Sequence, residues 1–585
     1  MTKNNIFYCC LIIGIILFGC TNETSKTNIP EIESLNWQAF DQDIFTKTTA
    51  NKKFVLLDIG ANWCHWCHVM DDSTFADQNV KNYIGNNFVL AKADQDERPD
   101  LYAKYKKWGW PALIVFNEKG EEILKLKGYQ EKSKFVKALK SVVANPVVLK
   151  NEPAKTNLSD PTVEKLSENF KSNLDYEKGG YNWNHKLLDY DGINYGFAKY
   201  HQDSLIKKWL DITVKNSYHL IDQTWSGVYQ YSTKNEWTNP HFEKLLRVQA
   251  FYIELYAHYY GITGDTTALN AAIRVQAYCE RFLASENALY FNSQNADLNP
   301  GEHAADYYQL NETDRLAKGI PSVDKSIFLK ENSAMIKALL YLHIATNDDQ
   351  YLNKSEEMIA YILNNFRSKD GLFKREINNN KIFSFADNSH FLDALLMAFR
   401  ITEKSIYLDK SAALAQKIES NFKTENGRVS AIGNLALPAP IIGLDNLKYI
   451  SSIEQLATVL ADKNWNRIAK SLFEKIENKG IENSAPTLSA ALMAHTLIFQ
   501  DPYHALHIID ESIELKKMSN TYTKQFLLST LSYITVENLI KGKMTADNEL
   551  YYGTADKGTL FICTSSFCSS PISTIPALTH FLTEI

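Results

Sequence analysis

The length, composition and charge of the chain limit what it can be. At 585 residues it exceeds the usual size of one domain, so the sequence predicts at least two domains. Apolar residues make up 45% of the chain, which is enough to build large hydrophobic cores. Acidic residues outnumber basic ones, 68 to 62, and the formal net charge of -6 argues against a nucleic-acid partner.

The first 20 residues are typical of an export signal: MTKNNIFYCCLIIGIILFGC. Their apolar run, residues 6–18, is short for a membrane span. The ending Leu17-Phe18-Gly19-Cys20 resembles the bacterial lipobox, so we expect cleavage before Cys20 and a lipid on that cysteine. The alternative is an uncleaved anchor helix. Both predict a membrane-tethered protein that faces the periplasm, and Thr21 in place of an aspartate favours the outer membrane.

A compact α/β pattern follows a polar tether, which we place at residues 21–32. Four apolar segments predict strands: residues 54–60, 88–94, 111–117 and 122–129. Amphipathic segments between and after the strands predict helices. Strands that alternate with helices in this way are typical of a small α/β domain, which we place at residues 33–148.

The pattern of residues 158–585 is helical. Two segments of equal length, 351–366 and 407–422, share Tyr-Leu, Lys-Ser and a final Asn-Phe, so they are repeats. Repeated helix pairs over a region this long either stack as an open solenoid or close into a ring. Glycine-rich and aromatic stretches recur between the pairs and would gather as loops on one face. This pattern favours a closed, all-α toroid with a cleft.

Residues 62–70, NWCHWCHVM, concentrate cysteine, histidine and tryptophan. The spacing Cys-x-x-Cys-His is that of covalent haem attachment, but here it follows an apolar strand in an α/β pattern that a small cytochrome would not have. A tetrahedral metal site needs a second ligand pair, and none is evident nearby. A redox dithiol explains more of the surroundings, so we expect neither a metal nor a cofactor.

The residues around this motif support a redox dithiol. A strand-to-helix junction places Cys64 at a helix N-terminus, where N–H groups stabilise a thiolate. Asp58 in the preceding apolar strand would be a buried carboxyl that exchanges a proton with Cys67. Pro111 opens a later strand, where a cis bond would press backbone against the dithiol. We expect Cys64 to attack a substrate disulfide and Cys67 to resolve the mixed disulfide. The neighbours expected to tune the pair are Trp63, His65, Trp66 and His68.

Together these residues resemble the thioredoxin fold, and more closely the thioredoxin-domain proteins related to spermatogenesis-associated protein 20. The closer resemblance rests on residues 64–70 (CHWCHVM), 96–100 (DERPD), 109–111 (GWP), 179–181 (GGY), 240–246 (PHFEKLL) and the cysteines of 563–571. It spans roughly residues 33 to 575. The resemblance implies a thioredoxin-like domain followed by an (α/α)6 toroid of the six-hairpin glycosidase type. The segment NWNHK departs from the family pattern, as does the short connection after Pro111.

Five polar residues of the helical part are candidates for a ligand cleft: Asp222, His241, Glu243, Asp387 and His390. Glycosidase-like rings use carboxylates on cleft-facing segments as acid and base, and epimerases of related shape use histidines. For each residue alone, a helix cap or a salt bridge is the stronger interpretation. As a group with the neighbouring aromatic residues, they predict a cleft that could hold a glycan.

Three cysteines lie outside the signal and the motif. We expect Cys563 and Cys568 to form a structural disulfide in an oxidising compartment, with a second redox pair as the alternative. Cys279 has apolar neighbours at helical spacing and is expected to be a buried, inert thiol.

The leading hypothesis is an exported, lipid-anchored thiol-disulfide oxidoreductase. Its substrate would be a protein disulfide or dithiol, and its toroid would recognise a partner or a glycan. The alternative is a carbohydrate-binding or carbohydrate-active toroid with the thioredoxin-like domain as an accessory.

Overall fold

The structure, a computed structural model, describes eleven ranges of the chain. They are residues 34–46, 53–149, 163–302, 304–379, 381–460, 462–478, 481–499, 505–509, 535–539, 558–564 and 568–584. The predicted signal peptide, its Cys20 and the tether at residues 21–32 lie outside these ranges. None of the helices within them has the length and apolarity of a membrane span.

The first domain is built on a five-stranded sheet. Its strands are β1 (Gln38–Ala39), β2 (Phe54–Gly60), β3 (Phe88–Asp94), β4 (Ala112–Phe116) and β5 (Glu122–Lys127). Their spatial order is β1-β3-β2-β4-β5; β3 is parallel to β1 and β2, and β4 is antiparallel to β2 and β5. The central strand β2 buries six of its seven residues, as its apolar sequence predicts for a strand covered on both faces.

Helices cover both faces of this sheet. They are α1 (His65–Val69), which continues as a π-helical turn over Met70–Phe75, α2 (Gln78–Asn87), α3 (Pro99–Tyr105) and α4 (Lys132–Ala144). Alternate residues of β2 enter opposite cores, so Leu56 packs in the core that contains Phe135 of α4, and Leu57 packs in the core that contains Leu101 of α3. This order of strands and helices is that of the thioredoxin fold, and the predicted fold is confirmed.

The second part of the chain is a ring of helices. In chain order these are α5 (Val163–Ser172), α6 (Tyr190–Lys199), α7 (Ser204–Ser217), α8 (Leu246–Thr263), α9 (Thr266–Phe282), α10 (Ala305–Tyr308), α11 (Glu312–Lys318), α12 (Leu329–Thr346), α13 (Asp349–Asn365), α14 (Phe385–Thr402), α15 (Ser405–Phe422), α16 (Gly443–Leu460), α17 (Lys463–Asn478) and α18 (Ala485–Phe499). The inner helices α6, α8, α12, α14, α16 and α18 each pack on the next, and α18 packs back on α6. The ring is therefore closed, and the predicted (α/α)6 toroid is confirmed.

The two layers of the ring differ in sequence because they differ in burial. The inner helix α12 has neighbours on most sides and buries 14 of its 18 residues. The outer helix α13 buries five of its 17 residues, along one stripe. The repeated segments 351–366 and 407–422 correspond to the outer helices α13 and α15, which occupy equivalent places in the ring.

Short strands lie in the connections that lead into the inner helices. They are β6 (Tyr231–Ser232), β7 (Pro240–His241), β8 (Lys244–Leu245), β9 (Ser293–Gln294), β10 (Val323–Asp324), β11 (Ile382–Ser384), β12 (Lys423–Thr424), β13 (Gly427–Arg428) and β14 (Ala431–Gly433). Three of them form an antiparallel sheet in the order β10-β9-β8. Because these connections precede the N-termini of the inner helices, they gather at one end of the ring, and that end contacts the first domain.

The C-terminal segment departs from the all-α expectation. It contains β15 (Ala505–Ile509), β16 (Thr535–Leu539) and β17 (Thr559–Cys563), in the order β16-β15-β17, and the helix α19 (Ile575–Glu584). β15 is parallel to β16 and antiparallel to β17. The short apolar run of β17, TLFIC, follows a glycine and has the composition of a buried strand, a signal that the helical interpretation of residues 158–585 overlooked.

Candidate active site at the domain interface

Cys64 and Cys67 lie at the junction between β2 and α1. Helix α1 begins at His65 with Cys64 as its N-cap residue. The Cys67 backbone N–H donates a hydrogen bond to Cys64 Sγ at 3.2 Å, and the two sulfur atoms are bonded to each other. Cys64 is thus held where the amide groups of a first helical turn favour a thiolate. The bonded pair corresponds to the oxidised state of a redox dithiol.

Asp58 lies on the same face of β2 as Gly60, which touches the dithiol. A Cβ atom at Gly60 would come within 3.2 Å of Cys67 Sγ. Burial raises the pKa of Asp58 to about 6, although Lys92, whose Nζ lies 3.5 Å from Oδ2, acts to lower it. Asp58 Oδ1 has no hydrogen-bond partner among the described residues, so it is available to a transferred proton. A carboxyl with a pKa near the working pH can accept and return a proton.

The four residues predicted to tune the dithiol do not share one environment. Trp63 is buried with the two cysteines, and Trp110 of the cis Trp110–Pro111 peptide bond packs against the same cluster. Trp66 is 46% exposed at the surface. His68 Nε2 lies 3.0 Å from the backbone oxygen of Asn62, in the turn that precedes α1. Trp63 therefore lies in the buried cluster with the two cysteines, and Trp66 lies at the surface.

The toroid covers the dithiol. Leu245 of β8 and Val248 of α8 pack against the cluster formed by Trp63, Cys64 and Cys67. As a result Cys64 is 5% exposed and Cys67 is 8% exposed. In this arrangement the two sulfur atoms are closed to contact with a folded protein.

Asp96 joins the two domains beside the dithiol. Its Oδ2 accepts hydrogen bonds from the Trp63 indole N–H at 2.6 Å and from Asn292 Nδ2 at 3.0 Å. Its backbone oxygen accepts a hydrogen bond from Arg375 Nε. Asp96 is the first residue of the DERPD stretch, so the structure gives this stretch a place in the contact between the domains.

His65 faces two carboxylates of the toroid. Its Nδ1 lies 2.6 Å from Asp297 Oδ2, and this hydrogen bond raises the pKa of His65. Glu243 is 4% exposed; burial, with a further contribution from Asp297, raises the pKa of Glu243 to about 7, while His65 acts to lower it. Glu243 Oε2 has no hydrogen-bond partner among the described residues. Glu243 was expected in a glycan cleft, and the structure places it beside the dithiol.

The toroid residues Asn292 and Asp297 were not predicted from the sequence. Asp297 lies 232 positions after His65, in a stretch without a motif. The pairing of Lys244 with Gln294 in the β8–β9 ladder carries this stretch to Glu243. Nothing in the local sequence marks these side chains as partners of a dithiol.

Comparison with known proteins agrees with the fold of the first domain. Residues 28–145 match the family model Thioredox_DsbH, which is described as "Protein of unknown function, DUF255". The first domain is thioredoxin-like.

Three relatives illustrate how far the similarity extends. An uncharacterized protein of Caenorhabditis elegans is 22% identical over 486 residues, which are 68% of this chain and 64% of the relative. Spermatogenesis-associated protein 20 of Rattus norvegicus is 23% identical over 314 residues, 46% of this chain and 39% of the relative. The disulfide bond reductase DsbH of Chlamydia pneumoniae is 20% identical over 136 residues, 20% of this chain and 82% of the relative. The chain thus spans less than two thirds of the first two relatives.

One solved structure illustrates the similarity found by structure comparison. The crystal structure of D-mannose isomerase aligns with a TM-score of 0.46 at 13% identity, covering 60% of this chain and 99% of that chain.

A cavity of about 310 Å³ lies between the thioredoxin-like domain and the end of the ring that contacts it. Tyr102 of α3 lines it from the thioredoxin-like domain, and Arg247, Glu331 and His390 line it from the toroid. Glu331 Oε2 and Ser430 Oγ, which belong to lining residues, have no hydrogen-bond partner among the described residues. Burial lowers the pKa of His390 well below its usual range, so its imidazole is neutral at pH 7. Among the predicted cleft residues, His390 is therefore the one that the structure places in this cavity.

Asp222 does not line the cavity, which corrects its predicted place in the cleft. It lies in a buried ion cluster, 2.6 Å from Lys244 Nζ and 2.7 Å from Arg315 Nη1. Burial acts to raise the pKa of Asp222, but the two cations lower it to about 2. A carboxylate held this firmly in its charged form is a structural partner of the two cations and a poor proton donor.

The remaining cleft candidates have structural neighbours. Asp387 bonds at 2.6 Å to Arg375, and it is the arginine that reaches the cavity wall. The His241 ring stacks on Tyr231 with a centroid distance of 4.6 Å, in the short β6–β7 ladder. The structure therefore separates the five predicted cleft residues into the dithiol site, the cavity and the surrounding framework.

The other cysteines are placed as follows. A disulfide joins Cys563 and Cys568 after β17. Cys279 of α9 is buried, and burial raises the pKa of its thiol well above the usual range.

Across the described ranges, no group of three or more histidine, cysteine or acidic side chains has the arrangement of a metal site.

Proposed function

We propose that this protein is a thiol-disulfide oxidoreductase in which Cys64 and Cys67 are the reacting groups. The observation that carries the proposal is the position of Cys64: it caps α1, its sulfur accepts the Cys67 N–H, and it is bonded to Cys67. The thioredoxin-like fold and the name of the Chlamydia pneumoniae relative, a disulfide bond reductase, support it.

The reaction is an exchange of two electrons between two pairs of sulfur atoms. In the reducing direction, the Cys64 thiolate attacks a substrate disulfide, forms a mixed disulfide and releases the first substrate thiolate. The Cys67 thiol then transfers its proton to Asp58, and the Cys67 thiolate attacks Cys64 Sγ. This step closes the Cys64–Cys67 disulfide and releases the second substrate thiolate, and protons from Asp58 and from solvent neutralise the products. An external dithiol restores the enzyme by the reverse exchange.

A trapping experiment tests this proposal. In the Cys67→Ser variant the mixed disulfide cannot be resolved, so we expect a covalent adduct between Cys64 and a protein or peptide disulfide, released by dithiothreitol. The Cys64→Ser variant should form no adduct and should lose disulfide reduction. The matched control is Cys279→Ser, which removes the buried thiol and should retain wild-type activity. Equal disulfide reduction by the wild type and Cys64→Ser would contradict the proposal.

We propose further that the protein is exported and anchored by a lipid on Cys20, facing the periplasm from the outer membrane. The short apolar run before a lipobox-like ending supports this localisation. In cells that express the full chain, Cys20→Ser should release the protein from the membrane fraction and abolish labelling with a radioactive fatty acid. The matched control, Cys9→Ser, should retain both. If the wild type takes up no radioactive fatty acid and still remains in the membrane fraction, lipidation of Cys20 is contradicted.

The cavity between the ring and the thioredoxin-like domain favours a second, separate proposal, that the toroid binds a glycan. Glu331 and Ser430 each have an oxygen without a hydrogen-bond partner among the described residues, and they line the cavity together with the donor groups of Arg247. A ligand with many hydroxyl groups would bind such groups. A glycan array with the whole protein, followed by calorimetry, tests it. We expect a hit whose affinity falls in Glu331→Gln and not in Glu168→Gln, a glutamate of the outer helix α5. Binding unaffected by Glu331→Gln would exclude this cavity.

A further inference from the structure

The contact between the toroid and His65 is built by two short strands. Lys244 and Leu245 of β8 pair with Gln294 and Ser293 of β9 in antiparallel register. Glu243 immediately precedes β8 and Asp297 follows β9, so both residues leave the ladder at the same end. That end meets α1 beside Cys64.

We propose that the toroid completes the redox site: Glu243 and Asp297 act through His65 as positioning residues that set the charge around Cys64 and thereby the redox equilibrium of the dithiol. The proposal rests on the proposed function. It gives the toroid a part in the thiol chemistry that is independent of any glycan.

Three observations support this role. His65 Nδ1 and Asp297 Oδ2 are 2.6 Å apart, and their side chains are 15% and 4% exposed, so little water screens the pair. The backbone amide of His65 also hydrogen bonds to Glu243. Leu245 and Val248 close the space around the sulfur atoms, so a charge at this site acts through protein and not through bulk water.

The charged neighbours define the sign of each effect. His65 faces Asp297 and Glu243; Glu243 in turn faces His65, Asp297 and Tyr231. A protonated His65 stabilises the Cys64 thiolate, and Asp297 keeps His65 protonated. Glu243, with a pKa of about 7, is neutral at pH 6 and negative at pH 8, where its charge, like that of Asp297, raises the pKa of His65 and so supports the imidazolium beside the thiolate.

The Asp297→Asn variant tests the support of His65. Without the carboxylate the pKa of His65 falls, the Cys64 thiolate loses a neighbouring cation, and the reduced dithiol becomes less stable. We expect the equilibrium constant with glutathione at pH 7 to change on the order of tenfold in favour of the Cys64–Cys67 disulfide. This change corresponds to about 30 mV in the reduction potential of a two-electron couple. The conservative variant Asp297→Glu retains the charge and should restore most of the wild-type value.

The Glu243→Gln variant tests the pH dependence. Since it removes a charge that exists only above about pH 7 and that supports the protonated His65, its dithiol should be harder to reduce than the wild-type dithiol at pH 8 and equal to it at pH 6. The matched control is Glu454→Gln. Glu454 lies in α16 and accepts a hydrogen bond from Asn466, so this variant should have the wild-type redox equilibrium at both pH values.

These measurements separate the proposal from its alternatives. Glutathione equilibrium and the NMR titration of His65 need no protein substrate, so they remain informative if the trapping experiment fails. An Asp297→Asn variant that keeps both the wild-type equilibrium and the wild-type His65 titration would overturn the role of Asp297. A Glu243→Gln variant that matches the wild type at pH 8, with far-UV circular dichroism unchanged, would overturn the role of Glu243.

Discussion

Replacing Asp58 by asparagine should stabilise the thioredoxin-like domain at alkaline pH. Asp58 is 3% exposed in the central strand β2, and its burial raises the pKa from 3.8 to about 6, with Lys92 and Asp71 as secondary contributors of opposite sign. This difference in pKa corresponds to a loss of about 3 kcal/mol in the free energy of unfolding when the carboxyl ionises. Asparagine has the same shape and never ionises, so it avoids this cost.

The sign follows from the two protonation states. Well below pH 3.8 the carboxyl is protonated in both the folded and the unfolded chain, so the substitution has no effect on charge. As the pH rises from about 4 to about 6, the unfolded chain loses the proton first, and the stability of the wild type falls relative to that of Asp58→Asn. Above about pH 6 the difference is complete and stays constant.

Pulse proteolysis in a urea series, read on peptides from residues 53–149, measures the free energy of unfolding of this domain. We compare the change that Asp58→Asn makes in the free energy of unfolding at pH 8 with the change that it makes at pH 4. Subtracting the two values removes any effect of replacing an oxygen by a nitrogen that does not depend on pH. We expect about 2.5 kcal/mol, because at pH 4 the unfolded chain is already partly ionised. The control Asp43→Asn, at an exposed carboxyl, should change by less than about 0.5 kcal/mol. Equal effects of Asp58→Asn at both pH values would refute the reasoning.

Two further substitutions test the interface and the toroid. Leu245→Ala removes the apolar cover of the dithiol; it should destabilise the protein by about 2–5 kcal/mol and speed alkylation of the reduced cysteines, whereas Leu205→Ala, at a 53% exposed leucine, should do neither. Unchanged alkylation in Leu245→Ala would show that the leucine does not limit access. Asp222→Asn leaves a buried lysine and arginine without their counter-ion and should cost about 3–5 kcal/mol in urea unfolding followed by circular dichroism. The exposed Asp314→Asn is its control, and similar unfolding midpoints for the two variants would contradict the ion cluster.

The closed interface affects how the proposed chemistry would be studied. With Cys64 5% exposed, reaction with a large substrate requires separation of Leu245 and Val248 from the first domain. Small thiols such as glutathione need a smaller opening than a protein does. A rate that depends strongly on the size of the disulfide would therefore report on the opening of the interface, and the redox equilibrium would report on the charges within it.

Features that depend on local pattern were predictable from the sequence. The apolar run FVLLDIG predicted a buried strand, and Cys64 after it predicted a thiol at a helix N-terminus. The repeats at 351–366 and 407–422 predicted equivalent helices, and the structure places both in the outer layer of the ring. Periodicity carries this information because burial on one or two faces restricts which side chains each position tolerates. The strand β17 was missed because a five-residue apolar run does not distinguish strand from helix.

The sequence by itself determined the two architectures and the dithiol, since each is encoded in residues that are close together along the chain. Only the tertiary structure decided which acidic residues meet which cations. Asp222 and Glu243 are both buried and lie close in sequence, yet one faces Lys244 and Arg315 and the other faces His65. The physical reason is that charge partners are set by how the ring closes and how the first domain packs on it. Side chains 232 positions apart then come within 2.6 Å, a distance that no local pattern records.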